Sequence, residues 1–100
     1  MGRVARPKPA RLAEKLLQIR KSLDVSQSDM LRLLGLDERV FYSAVSGYEL
    51  GNREPPLPVL LQYARLAGVY VDLLIDDKLD LPKKLPTNLN PERELKRFRR

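Results

Sequence analysis

The chain has 100 residues, enough for one domain, and its 43% hydrophobic fraction is typical of a globular protein rather than a disordered one. It contains no cysteine and no histidine, which excludes disulfides, thiol nucleophiles, imidazole bases and Cys/His zinc sites. Its 19 Lys and Arg residues exceed its 13 Asp and Glu residues, for a net charge of +6. This composition favours a binding module over an enzyme, and it predicts no metal and no cofactor.

The sequence also lacks the marks of a membrane or secreted protein. No apolar run approaches the roughly 18 residues that a membrane span requires. The first eleven residues are basic but contain no apolar stretch, so they do not resemble a secretory signal. We therefore expect a cytoplasmic protein with no membrane partner.

The positive charge is concentrated at the two ends of the chain. Residues 1–11 carry four basic side chains, and residues 83–100 carry seven basic and two acidic ones. Residues 12–82 instead carry eight basic and eleven acidic side chains. Basic termini suit a polyanion such as DNA or RNA, although ends that are simply solvated would have the same composition.

The first two helices are indicated by periodicity and by capping residues. An apolar repeat of helical spacing predicts a helix over about 10–23. Ser26, whose hydroxyl can accept a hydrogen bond from the Asp29 amide, predicts the start of a second helix over about 26–34. Gly35 then suits a left-handed cap at the end of that helix.

Three further helices are predicted after this turn. Asp37 is a good N-cap for a third helix that runs to about Leu50. Its expected inward face is made of Val40, Phe41, Ala44, Val45 and Tyr48. Pro58 fits the first turn of a fourth helix that ends at Gly68, and residues 69–75 supply a short fifth helix.

The end of the chain is predicted to lie outside the core. Three prolines among polar residues follow residue 77 and indicate a linker, and the last ten residues have no apolar face that would sustain a helix. The predicted organisation is a basic N-terminal arm over 1–9, a domain over 10–77, and a Pro-containing linker with a basic tail over 78–100. The predicted fold class is all-α, a compact bundle of five short helices with flexible basic termini.

One set of motifs is more specific than the helices themselves, and it spans about residues 11–76. It consists of Ile19-Arg20, Ser26-Gln27-Ser28-Asp29-Met30, Leu34-Gly35-Leu36, Val45-Ser46-Gly47-Tyr48-Glu49-Leu50-Gly51-Asn52-Arg53-Glu54-Pro55, Tyr63-Ala64 and Gly68-Val69. This combination resembles the Cro/phage-repressor-type (XRE-like) helix-turn-helix regulators. The resemblance implies a lambda-repressor-like DNA-binding domain that binds double-stranded DNA sequence-specifically, forms a homodimer and regulates transcription, usually by repression.

The resemblance also assigns roles to individual residues. The third helix would lie in the major groove while the second crosses the DNA backbone. Gln27, with Ser28 beside it, would contact a phosphate and brace the third helix. Arg20 and Glu49 would form an ion pair that ties the first helix to the end of the third.

The sequence departs from the family at the third helix. In relatives the glutamate usually follows the turn glycine by about ten residues, whereas Glu49 follows Gly35 by fourteen, a surplus of about one helical turn. This predicts a third helix that is extended at its N-terminus, or else a longer turn; the unbroken apolar stripe favours the helix. Asn52 and Arg53, after the cap at Gly51, lie where relatives touch phosphate.

The surplus gives two alternatives for the base-contacting positions. Counting back from Glu49 places them on Tyr42, Ser43, Ser46 and Gly47, and counting forward from Gly35 places them on Glu38 and Arg39. Arg39 could reach guanine, Glu38 could accept from cytosine, and Tyr42 could stack or pack against a thymine methyl. A solvated helix start is the other interpretation of Glu38 and Arg39.

Three functions are compatible with these observations. The first is a DNA-binding transcriptional regulator associated with the nucleoid, whose basic ends offset the repulsion between Asp37, Glu38 and phosphate. The second is an antitoxin-like or mobile-element regulator whose C-terminal tail binds a partner protein. The third is an adaptor that keeps the fold, binds proteins and does not bind DNA.

Overall fold

The computed structural model describes residues 8–96, and within them the chain is all-helical with no β-strand. Seven helices follow one another in this part of the chain: α1 Leu12–Leu23, α2 Gln27–Leu33, α3 Glu38–Phe41, α4 Ala44–Leu50, α5 Leu57–Ala67, α6 Asp72–Ile75 and α7 Pro91–Lys96. The all-α class is confirmed. There are more helices than predicted because the third is divided and one forms near the C-terminus. Most of the N-terminal arm, with Arg3 and Arg6, and the last four residues of the tail lie outside the described residues.

The start of α2 follows from its capping residue. Ser26 has an extended backbone, and its hydroxyl accepts a hydrogen bond from the Asp29 amide at 3.0 Å. This bond satisfies one of the amides that the first turn of a helix leaves without a partner. The predicted N-cap is confirmed.

The predicted third helix is wrong as a single element. Asp37 caps α3, accepting from the Arg39 amide at 2.9 Å, but α3 ends at Phe41. The Tyr42–Ser43 turn then separates it from α4. Val40 and Phe41, predicted to face the core, are exposed, and α3 buries no residue. Because the helix is interrupted at this turn, the apolar residues of α3 and α4 do not form one buried stripe.

The core lies between α1 and the helices around it. α1 packs against α4, α5 and α6, while α2 packs against α3, α4 and α7. The side chains that are almost fully buried include Leu16, Ile19, Met30, Leu31, Val45, Tyr63 and Leu74. Burial of each such side chain contributes roughly 1.5–3 kcal/mol, so these contacts hold the helices in one arrangement.

A buried lysine joins α1 to α6. Lys15 is 1% exposed, and its Nζ donates to the carbonyl oxygens of Leu73 at 2.8 Å and Asp76 at 2.9 Å. A cation is favourable beside the carbonyls at the end of a helix, because they carry partial negative charge and lack intrahelical donors. Lys15 therefore fixes the end of α6 on α1.

The start of α1 is attached to the segment after α6. The Asp77 carboxylate accepts from the backbone N–H of Ala10 at 2.9 Å and of Arg11 at 3.0 Å. These two hydrogen bonds hold the pKa of Asp77 below its ordinary value. The Arg11 guanidinium also pairs with Asp80 at 2.7 Å. The path of the chain is therefore fixed where the N-terminal arm meets the domain.

The segment after residue 77 is part of the core, which contradicts the prediction of a linker outside it. Leu81, Leu85 and Leu95 are buried. α7 begins at Pro91, a residue suited to the first turn of a helix, and it packs on α2. The prediction that the last ten residues sustain no helix is wrong as far as Lys96, because Asn90 accepts a hydrogen bond from the Arg93 amide at 3.2 Å and Leu95 is buried where α7 packs on α2.

The contact between Thr87 and Gly68 gives a test of this packing. Gly68, at the end of α5, has φ +77°, and a Cβ there would lie 2.8 Å from the Thr87 backbone nitrogen. Gly35 has φ +76° but nothing within 4 Å of the same position. We expect Gly35→Ala to lower the free energy of unfolding by about 1–2 kcal/mol, because of its left-handed backbone. Gly68→Ala should cost more, because the Thr87 backbone must also move.

Chemical unfolding of the two variants measures this difference. Gly35→Ala is the matched control, since it introduces the same backbone strain without a neighbouring contact. Equal losses in the two variants would contradict the close approach of the C-terminal segment to α5.

Candidate nucleic-acid interface

Three side chains at the junction of α1, α2 and α4 form one hydrogen-bonded network. Arg20 donates from Nε to Glu49 Oε2 at 2.7 Å and from Nη2 to Glu49 Oε1 at 3.1 Å. Gln27 donates from Nε2 to the same Oε1 at 2.9 Å. The Arg20 side chain is 17% exposed and that of Glu49 is 5% exposed, and the hydrogen bond to Glu49 raises the pKa of Arg20. Arg20 and Glu49 thus form the ion pair that the sequence predicts.

Gln27 connects this network to the exposed surface. Its amide nitrogen carries two hydrogens and uses one for Glu49. The side chain is otherwise exposed at the start of α2, as is Ser28 beside it. Gln27 therefore braces α4, and its second N–H can still donate to an anion.

Two aromatic rings support α4 from the core side. Tyr48 of α4 and Tyr63 of α5 meet edge to face, with ring centroids 6.5 Å apart and an interplanar angle of 73°. Both are buried, and burial raises the pKa of each hydroxyl. Such aromatic pairs add about 0.5–1.5 kcal/mol beyond the area that they bury, so α4 is held on α5 as well as on α2.

Arg53 lies across α4 at Gly47. A Cβ on Gly47 would come within 2.5 Å of Arg53 Cδ and 2.8 Å of Cγ, so a larger residue would force the Arg53 side chain to move. The amides of Asn52 and Arg53 both donate to the Gly47 carbonyl at 3.2 Å. Gly47, predicted to contact a base, is therefore buried beneath Arg53. Within residues 8–96 the guanidinium of Arg53 has no hydrogen-bond or ion-pair partner, and the side chain is exposed.

The outer face of α4 carries two serines and one leucine. Ser43 is exposed at the turn before the helix, Ser46 is half-buried, and Leu50 is exposed one turn later. The spacing of three to four residues places all three on one side of α4. Asn52 is exposed in the following loop, and Tyr42 is exposed in the preceding turn.

Glu38 and Arg39, predicted to contact bases, are engaged with other side chains. Arg39 pairs with Asp37, with Nη2 to Oδ2 at 3.2 Å and Nε to Oδ1 at 3.3 Å. The hydrogen bond from Arg39 lowers the pKa of Asp37. Glu38 accepts from Arg32 at 3.1 Å, and Arg32 also contacts Asp29 at 2.9 Å. The structure therefore presents neither Glu38 nor Arg39 as an unpaired charge.

Arg32 makes a contact between helices that the sequence did not predict. It joins α2 to α3, because one guanidinium binds a carboxylate on each helix. Its separation of three residues from Asp29 is a recognisable helical pairing signal. Its second partner, Glu38, lies across the turn, and no periodic pattern would have indicated that contact.

The last two residues of the N-terminal arm lie beside the end of α4. Lys8 and Pro9 line a shallow depression together with Tyr48, Asn52 and Arg53. Two cations on different parts of the chain, Lys8 and Arg53, therefore border the same surface as the carboxylate of Glu54. The other basic residues of the arm precede Lys8 in the sequence.

Comparison of the chain with protein-family models, curated proteins and solved structures gives no match. In the part of the chain that the structure describes, no helix has the length and apolar character needed to cross a membrane. Among residues 8–96, no group of three or more acidic side chains is arranged to hold a metal ion.

Proposed function

We propose that the protein binds double-stranded DNA sequence-specifically and represses transcription. In this proposal α2 and α4 act as a helix-turn-helix: α4 lies in the major groove and α2 crosses the backbone. The observation that carries the proposal is the attachment of α4. The Arg20–Glu49–Gln27 network holds its C-terminal end on α1 and α2, while Ser43 and Ser46 remain accessible on its outer face.

The exposed donors around α4 suit phosphate. Arg53 follows the helix and offers a guanidinium, Asn52 offers an amide, and Gln27 offers its second N–H at the start of α2. Phosphate contacts of this kind fix the orientation of a protein on DNA without selecting its sequence. Lys8 adds positive charge beside Arg53, and the basic arm and tail extend it, which offsets the acidic side chains of the domain.

Two copies of the chain bound to one operator would complete this function. A symmetric dimer reads two half-sites about one helical turn of DNA apart, which makes the operator a palindrome. A homodimer is therefore part of the proposal.

The test is selection of bound sites from random double-stranded DNA, followed by a salt titration on the selected site. We expect a palindromic consensus and a linear fall of log K with log salt concentration. Arg53→Gln should weaken binding to all sequences alike and reduce the slope by roughly 0.9, the value for one phosphate contact on duplex DNA. Ser43→Ala should instead change the preferred sequence.

Arg65→Gln is the matched control for Arg53→Gln. Arg65 is also an exposed arginine, but it belongs to α5, outside the two helices of the proposed helix-turn-helix. Its replacement should leave the slope unchanged. Equal slope changes in the two variants would contradict the assigned surface, and failure to bind any DNA at low salt would overturn the proposal in favour of a protein-binding adaptor.

A further inference from the structure

α3 and the turn after it present three consecutive large hydrophobic side chains to solvent. Val40, Phe41 and Tyr42 are 66%, 40% and 79% exposed. The other large exposed hydrophobic residues of the described chain are separated in sequence: Leu50, Leu57, Leu61, Tyr70, Ile75 and Leu79. A contiguous run of exposed apolar surface marks a place where contact with a partner is favourable, because it removes that surface from water.

The charged side chains beside this run are occupied by one another. Arg39 pairs with Asp37, and Arg32 pairs with both Asp29 and Glu38. These pairs lower the repulsion that the three carboxylates would otherwise exert on a phosphate backbone. Beside these paired charges, the side chains of α3 that have no polar partner are the apolar Val40 and Phe41.

The position of α3 next to α4 defines what those groups can reach. Only the Tyr42–Ser43 turn separates the two helices, so the Cα atoms of Phe41 and Ala44 lie within about 11 Å of each other, the span of three extended residues. The major groove of B-DNA is about 12 Å wide. When α4 lies in the groove, the Phe41 end of α3 is therefore within about one groove width of α4.

We propose that Val40 and Phe41 contact the 5-methyl groups of thymines in the major groove and thereby select T·A base pairs. This inference rests on the proposed function, since it requires α4 to lie in that groove. The thymine methyl is the apolar group that base pairs expose there. An apolar side chain that covers it distinguishes thymine from cytosine without a hydrogen bond, so α3 contributes specificity through packing rather than through Glu38 or Arg39.

The first test leaves the protein unchanged. The site selected from random DNA is rebuilt with each thymine replaced in turn by deoxyuridine, which lacks the 5-methyl group and keeps every hydrogen-bonding group. We expect about fourfold weaker binding at one or more positions, the effect of exposing one methyl group. Equal affinity at every position, or a selected site without thymine, would overturn the inference.

The second test connects the methyl group to α3. In Phe41→Ala or Val40→Ala, the deoxyuridine penalty should disappear at the position that the side chain covers. Leu57→Ala removes an apolar side chain that is 80% exposed on α5, and this control should keep the full penalty. A melting curve for each variant verifies that it is folded at the assay temperature.

Other partners of α3 would give different results in these tests. If both α3 variants keep the penalty, another residue covers the methyl group and the inference is wrong. If the variants abolish self-association measured by sedimentation and keep the penalty, α3 contacts a second copy of the chain, which also overturns it. If no DNA site is selected at all, the proposed function fails as well, whereas a selected site indifferent to deoxyuridine overturns only this inference.

Discussion

Replacement of Arg20 by alanine is expected to lower the free energy of unfolding by about 3 kcal/mol, because it leaves a nearly buried Glu49 carboxylate without its main partner. Gln27 continues to donate to that carboxylate but carries no charge. The loss also includes the hydrogen bond from Arg20 Nη1 to the Val25 carbonyl at 3.0 Å, which closes the turn between α1 and α2. Chemical unfolding of the wild type and the variant measures the effect.

A double-mutant cycle with Glu49→Ala separates the pair from other effects. Glu49→Ala should cost less than Arg20→Ala, since Arg20 is more exposed and keeps its bond to Val25. The double variant should lose less free energy of unfolding than the two single variants lose together, because neither charge is then left without its partner. Arg65→Ala, on the exposed side of α5, is the control and should change stability by no more than about 0.5 kcal/mol. Strict additivity in the cycle would contradict the coupling.

The sequence predicts elements well where one residue controls the local backbone. Ser26 caps α2 through its own hydroxyl, and Asp37 caps α3 in the same way. Gly51 and Gly68 adopt left-handed conformations at the ends of α4 and α5. These signals depend on interactions within four residues, so they can be recognised without knowledge of the tertiary contacts.

Prediction failed where a helix depends on what it packs against. Val40 and Phe41 continue the apolar period of α4 in the sequence, but the Tyr42–Ser43 turn breaks the helix before they can share its buried face. Both segments are helical, so propensity alone did not indicate the break. The surplus of four residues was visible in the sequence. In the structure α3 packs on α2 through contacts such as Arg32–Glu38, which a count of residues does not indicate.

The C-terminal segment was missed for a related reason. Leu81 and Leu85 are buried in chain without regular secondary structure, so no helical or strand period marks them as core residues. The surrounding prolines and lysines give the segment the composition of a linker. These leucines are buried because they pack against apolar side chains of the other helices, and the local sequence does not indicate that contact.

The candidate site was predicted unevenly. Arg20, Glu49 and Gln27 belong to the specific motifs, and the structure brings them together. The partners of Glu38 and Arg39 were not predicted, because charged side chains near a turn can pair in several ways with similar energies. The contacts of buried residues can therefore be inferred from a motif more reliably than the contacts of exposed charged residues.

Leu95→Ala is expected to lower the free energy of unfolding by about 2 kcal/mol, the lower end of the usual cost of truncating a buried leucine. Leu95 is 6% exposed and is the buried residue of α7, which packs on α2. The loss is bounded by the free energy of docking α7, because a short terminal helix can detach while the rest of the domain stays folded. Unfolding curves give the loss, and amide exchange should show faster exchange in residues 91–96.

Leu57→Ala is the control for this experiment, since Leu57 is 80% exposed and its truncation should have little effect on stability. Equal stability of the two variants would contradict the docking of α7.

The same contact affects how the basic tail is tested: deleting residues 92–100 removes Leu95 together with the positive charges, so a loss of DNA binding would combine two causes. Replacing Arg97, Arg99 and Arg100 with glutamine keeps Leu95 in the chain, and any change in salt dependence can then be assigned to charge alone.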